Sequence, residues 1–236
     1  TAIPTGFVLG GLRFGKYDKK FTVSMTNSLT YISLAYKAAA LQLMMGEANF
    51  ASQKLNLPTP HPIEARHMTT ALVSPPKFGF GGTVGTTNYV FSFGPSGVMH
   101  SLCRMENGEN FLSIDRQKQL ANVKPTIDTS GAYTLATQWL SAVSVDVAAL
   151  EKKYKPETKQ RFLWNPPGST NKIMLPIYDV NWGAVNVVVL GTTKELMEIY
   201  MRDTSFSKRP VLAVTNAAEL MSRPDPPKAL VTPKER

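Results

Sequence analysis

Ser33-Leu-Ala-Tyr-Lys-Ala-Ala-Ala-Leu-Gln-Leu43 recurs further along the chain as Ser130-Gly-Ala-Tyr-Thr-Leu-Ala-Thr-Gln-Trp-Leu140. Ser33, Ala35, Tyr36, Ala39 and Leu43 match Ser130, Ala132, Tyr133, Ala136 and Leu140 at one offset, 130 − 33 = 97. The same offset carries Val90 and Gly94 onto Val187 and Gly191, and each glycine closes an apolar run that reads as a strand. A period of this size is that of a domain, whereas solenoid repeats run roughly 20–50 residues. The expectation is a duplicated unit.

Working outward, the second copy gives the clearer helix. Tyr133, Ala136, Leu140, Val143, Val147, Leu150 and Tyr154 are spaced by threes and fours, which puts them on one helical face. Subtracting the offset gives Tyr36, Ala39, Leu43, Gly46, Phe50, Gln53 and Leu57, the same stripe with two breaks. Ser33 suits the first turn of the earlier helix, and Asp128 or Thr129 that of the later one, because a short oxygen side chain can accept from an unpaired amide there. Ahead of the first helix, Phe21-Thr-Val-Ser-Met25 alternates as a half-buried strand does.

After each helix the pattern turns to strands, and both copies carry a Pro-Pro brake, at Pro75-Pro76 and Pro166-Pro167. Asn88-Tyr-Val-Phe-Ser-Phe93, a turn at Gly94-Pro-Ser-Gly97 and a strand over 98–105 form one hairpin. Strands over 185–190 and 196–201, joined by Gly191-Thr-Thr-Lys194, form the other, preceded by a strand over 172–178. The expected architecture is α+β: two tandem units, each a long helix packed on a three- to four-stranded antiparallel sheet. The divisions are an arm over 1–30, unit 1 over 31–127, unit 2 over 128–222 and an extended Pro-rich tail over 223–236.

Composition permits a sizeable core, with 43% hydrophobic residues in 236. Twenty-six Lys and Arg against 17 Asp and Glu leave +9, which favours an anionic partner, although the charge is dispersed. The single cysteine, Cys103, forms no intramolecular disulfide. No run approaches the roughly 20 apolar residues that span a bilayer. A start at Thr1 without a leader fits a processed mature chain or a trimmed one.

A helix followed by an antiparallel meander, repeated in tandem over 31–107 and 128–205, resembles the cystatin-like folds and the PepSY-type peptidase-propeptide modules. Ala132-Tyr-Thr-Leu-Ala-Thr-Gln-Trp-Leu-Ser-Ala142, Lys172-Ile-Met-Leu-Pro-Ile-Tyr-Asp-Val-Asn-Trp-Gly183 and Leu190-Gly-Thr-Thr-Lys-Glu-Leu196 also look like uncharacterised exported proteins of Verrucomicrobia-type bacteria. That likeness implies a periplasmic or secreted location. Cystatin-type inhibitors plug a protease with a Gln-Val-Gly hairpin, and Val90-Phe-Ser-Phe-Gly94 and Val187-Val-Val-Leu-Gly191 lack it. Protease inhibition is therefore not implied.

No assembled catalytic constellation or cofactor cradle emerges. His61, Glu64 and His67 bracket one another at three-residue steps, but a zinc helix needs histidines at i and i+4, and Pro62 lies between these. They are the metal candidates only if a loop gathers them. His100 and Cys103, three apart on a strand, are expected on opposite faces, and their offset counterparts are Met197 and Tyr200. Gly79-Phe-Gly-Gly82 lacks the Lys-Ser/Thr ending of a phosphate loop. Lys152-Lys-Tyr-Lys155 and Arg161-Phe-Leu-Trp164 have the composition of a nucleic-acid face, but Tyr154 belongs to the apolar stripe. The functional expectation is an exported, non-catalytic protein that binds a protein, a peptide or an envelope polymer through a sheet face or edge. The alternatives are a hydrolase or small-ligand enzyme with a site assembled in three dimensions, and a structural subunit of a surface assembly.

Overall fold

A computed structural model describes residues 7–9, 12–14, 19–73, 81–94, 97–106, 108–111, 113–121, 123–164 and 172–210, with side chains from residue 37 onward save those of Ile114 and Trp164. The Pro-Pro brakes, Gly79 and Phe80 of the glycine-rich run, the tail and the side chains of Ser33, Ala35 and Tyr36 lie outside them. The elements run β1 (Phe7–Leu9), β2 (Leu12–Phe14), α1 (Lys19–Lys54), β3 (Thr70–Val73), β4 (Gly82–Gly85), β5 (Tyr89–Phe93), β6 (Met99–Glu106) and β7 (Glu109–Asn110). They continue with α2 (Ile114–Gln119), α3 (Thr129–Ala142), α4 (Val147–Lys153), β8 (Glu157–Trp164), β9 (Lys172–Asn181), β10 (Val185–Leu190) and β11 (Glu195–Met201). The protein is α+β, with one large antiparallel sheet and, among the described residues, four α-helices.

Both helices depart from the sequence expectation. α1 begins at Lys19, so Phe21–Met25 is helical and Ser33 is interior rather than a cap. Five alternating residues are too few to separate the two periods, and no proline occurs between Pro4 and Pro58 to stop the helix from running back. The stripe from Tyr133 to Tyr154, expected as one helix, is divided between α3 and α4. Ser144 takes a left-handed conformation (φ 65°), Val145 bridges to Ser207, and the Asp146 carboxylate caps α4 by accepting from the Ala149 amide at 3.1 Å. Asp128 caps α3 in the same way, accepting from Gly131 at 2.8 Å.

The sheet order is β3-β4-β5-β6-β11-β10-β9-β8, so the last strands of the two halves meet in the middle. The seam pairs Ser101 with Tyr200, Leu102 with Ile199 and Cys103 with Glu198. Its centre, Leu102 against Ile199, spans the offset found in the sequence, 199 − 102 = 97. Elsewhere that offset is out by one. Following the ladders from the seam, Phe91 answers to Val187 and Val84 to Val180, each 96 apart (187 − 91 and 180 − 84). Val90 therefore faces the side opposite to Val187, not the equivalent one, because a one-residue slip exchanges the faces of a strand.

The helices obey the shorter offset as well. Ala40 and Met44 are the buried residues of α1 where Ala136 and Leu140 are those of α3, all at 0% exposure. Ala39 is only half-buried and Leu43 is 37% exposed, so these two matched letters do not occupy the positions of Ala136 and Leu140. The missing residue is taken up in the turn after β5. Both halves keep one irregularity in register: the ladder skips His100 in β6 and Met197 in β11, a β-bulge at positions 97 apart.

One row across the sheet, Val84, Phe91, Leu102, Ile199, Val187 and Val180, is wholly buried beneath the helices. Burying each such side chain contributes about 1.5–3 kcal/mol. A strap over 203–209 closes the helical layer: Lys208 donates to the Ser144 carbonyl at 2.8 Å, and the Arg209 guanidinium forks onto the Glu47 carboxylate and lies 4.0 Å over the Phe50 ring. On the other sheet face the link through Phe111, α2, Leu120 and Ala121 covers Leu175, Ile177, Val188, Leu190 and Met197.

The two turn glycines are not equivalent in their surroundings. A Cβ on Gly191 would lie 2.7 Å from the Tyr178 ring and 3.0 Å from Pro125, and Tyr178 is held by its hydrogen bond to the Ile127 carbonyl at 2.8 Å. A Cβ on Gly94 would meet nothing among the described residues nearer than His100 Nδ1 at 3.9 Å. Gly191→Ala is expected to cost about 1–3 kcal/mol through overpacking. Gly94→Ala should stay within about 0.5 kcal/mol, and urea unfolding of the pair measures the difference.

Candidate functional site

The strand register builds the exposed face of the sheet in two adjoining rows. The first runs Lys159, Asp179, Val188, Glu198, Cys103, Val90, Gly85 and Thr70 from β8 to β3. The second runs Glu157, Asn181, Asn186, Tyr200, Ser101, Ser92, Thr83 and Leu72. The link through α2 covers Val188 in the first row and the end of the face beyond it. No residue of the second row is buried, and Tyr200 is 41% exposed. Seven inter-strand steps of about 4.8 Å make the row roughly 34 Å long.

Local irregularities aim the charged and aromatic groups of this face. The ladder between β8 and β9 shifts at Arg161, which turns its guanidinium onto both oxygens of Asp179 at 2.7 Å each. Such a fork is stronger and more directional than a single ion pair. Glu198 stands one strand beyond Val188, partly buried. Desolvation, the largest cause, raises its carboxyl above the ordinary value, and Asp179 adds to the rise while Arg161 opposes it. Across the seam, burial pushes the Cys103 thiol up to about 11, with the Glu198 charge adding to the rise. Its one hydrogen bond among the described residues goes weakly to the Arg104 carbonyl at 3.6 Å.

The bulge changes the expectation for His100. Its ring sits edge-on to Tyr200 with centroids 6.5 Å apart, and Tyr200 pairs with Ser101 on the Cys103 face. His100 and Cys103 thus lean to one side, not to opposite sides. Burial lowers the imidazole pKa, so the ring is neutral near pH 7, and its Nδ1 is buried with no hydrogen-bond partner among the described residues. A thiol held at so high a pKa beside a carboxylate is a poor nucleophile.

The metal candidates lie elsewhere, on the loop after α1. His61 Nε2 meets the Leu57 carbonyl at 3.2 Å, the Glu64 amide donates to His67 Nδ1 at 3.1 Å, and Arg66 pairs with Glu64 at 2.9 Å. Among the described residues no three His, Cys, Asp or Glu side chains converge on a point where an ion could sit. The expected stripe residue Tyr133 bonds Glu151 and packs on Trp182, ring centroids 6.0 Å apart.

Glu198 and Asn186 were not singled out from the sequence, Tyr200 entered only as the offset counterpart of Cys103, and Arg161 only within a basic, aromatic segment without its partner Asp179. A signal for them existed. In Leu196-Met-Glu-Ile-Tyr-Met201 and in Val185-Asn-Val187 polar side chains alternate with apolar ones, the mark of a strand with one wet face. Comparison of the chain with protein-family models, with curated proteins and with solved structures gives no match.

Two outcomes follow from the charges. The raised Glu198 carboxyl means that the folded state holds this proton more tightly than the unfolded one. Its contribution is fully present below the unfolded value of about 4.5 and is lost as pH rises through the folded value. Glu198→Gln should therefore unfold at higher urea than the parent at about pH 7, with the gap closing at about pH 3.5. Native Cys103 should react slowly with Ellman's reagent at about pH 8 and completely once urea unfolds the chain.

Proposed function

We propose that this chain is a non-catalytic binding protein that engages an extended ligand, a polymer strand or a peptide, along the open face of its sheet. The observation that carries the reading is the unburied row from Glu157 to Leu72, which crosses the seam without interruption. Its amides, hydroxyls and single ring offer hydrogen bonds along a length suited to a chain molecule and not to a small metabolite. The Tyr200 ring, flanked by Asn186, Ser101 and His100, is the anchor at its centre.

The strand order supports reading the chain as two tandem cystatin-like units, each a helix followed by a four-stranded meander, joined through their final strands. On that reading the ligand-binding face exists only in the joined form, since half of the row belongs to each unit. The likeness to exported bacterial proteins makes an envelope polymer or an extracytoplasmic protein the natural partner. No described helix is long and apolar enough to cross a membrane.

The test is a titration of isotope-labelled protein with solubilised envelope glycan fragments and with unstructured peptides, followed by NMR. Shifts confined to Asn186, Tyr200, Ser101 and Ser92 are expected, with affinity about tenfold weaker in Tyr200→Ala and unchanged in Lys37→Ala on α1. Turnover of a hydrolase substrate that disappears in alanine variants of His61, His67 or Cys103 would overturn the reading.

A further inference from the structure

The two ends of the sheet are guarded very differently. β8 carries Glu157, Lys159 and Arg161, pairs Lys159 with Glu157 at 2.6 Å along its own length, and faces a bulge in β9 where the ladder shifts opposite Arg161. Charges and bulges are the devices by which a terminal strand resists pairing with another chain. β3 has neither. Its four residues, Thr70-Ala-Leu-Val73, are uncharged and in regular register with β4, Thr70 to Leu72 are exposed, and Leu72 is 63% exposed. Among the described residues, no strand pairs with the outer side of β3.

Which molecule suits this edge is decided by charge and by symmetry. A two-fold copy laid antiparallel on β3 brings no like charges together, because the strand has none. The chain already contains such a joint: at the seam β6 and β11 pair antiparallel about Leu102 and Ile199, with Ser101 against Tyr200 on one side and Cys103 against Glu198 on the other. The guarded β8 edge prevents the alternative, head-to-tail addition of β3 to β8 into an open filament.

We propose that two copies of this chain associate antiparallel through β3, closing a two-fold dimer in which the sheets run on as one. Unpaired backbone amides and carbonyls of β3 supply the hydrogen bonds, and Leu72 from each copy covers the other's edge. A four-residue strand buries little surface, so the association is weak and reversible. Leu72 also ends the polar row of the exposed face, so pairing here lays two such rows end to end. The inference stands apart from the ligand-binding reading and does not require it.

Sedimentation velocity over a hundredfold range of protein concentration is the test. The parent should shift from monomer to dimer, and Leu72→Lys and Leu72→Glu should each weaken the association at least tenfold while keeping the parent's circular dichroism and melting curve. Mixing the two variants in equal amounts should restore dimer, since opposite charges then face each other across the joint, and Lys159→Ala on β8 should leave the parent behaviour unchanged. A parent that stays monomeric throughout overturns the proposal, as does a dimer indifferent to charge at Leu72 or one dissociated by Lys159→Ala. A monomer that instead takes up an unstructured peptide, with NMR shifts at β3, overturns it in favour of peptide addition.

Discussion

Leu102 and Ile199 lie side by side at the centre of the sheet, both at 0% exposure, and the ladder between their strands turns two four-stranded meanders into a single layer. Each meander alone would present an open edge at its last strand, with backbone groups that need partners. Joining the two edges satisfies both at once. It also fixes the register of everything outward: once Leu102 meets Ile199, the ladders place Phe91, Val187, Val84 and Val180 under the helices and send Tyr200, Ser101, Asn186 and Ser92 to the other side. The buried row and the wet row are two sides of one register.

The irregularities of the strands carry the chemistry of the exposed face. At Met197 the extra residue drops into the apolar layer under the α2 link, whereas at the equivalent place His100 turns a ring against Tyr200 and leaves a nitrogen without a partner among the described residues. An unpaired buried polar atom costs about 1–3 kcal/mol. The same bulge therefore serves packing in one half and polarity in the other. Tyr89 ties the halves together from the buried side: its hydroxyl, pushed up to about 12 mainly by burial, donates to the Leu196 carbonyl at 2.9 Å, beside the second bulge.

The hairpin strands were read from the sequence more faithfully than the helices, whereas Phe21–Met25, expected as a strand, lies in α1 and β8 was not expected, and the reasons are local. Val185–Leu190 is a strand from end to end, and Tyr89–Phe93 alternates buried and half-buried as its letters alternate. Helical stripes mislead where short polar residues interrupt them, because Ser144 and Asp146 divide one apolar face between two helices. The repeat legible in the letters lies one residue away from the pattern of burial, since matching letters at Leu43 and Leu140 outweighed the burial that groups Met44 with Leu140. The exposed site was the least visible part. Glu198 and Asp179 are separated in the chain and acquire a relation only through the ladders of three strands.

The strap that ends in Arg209 grips Glu47, a partner 162 residues earlier in the chain, and the seam itself joins strands almost a hundred residues apart. Contacts so remote in sequence form late, after the entropy of closing a long loop has been overcome. During synthesis the edge of β6 away from β5 therefore stays unpaired until β11 has been made, and the groove beside α1 stays open until residue 209 arrives. A nascent first half is accordingly exposed to pairing with the β6 of another unfinished chain.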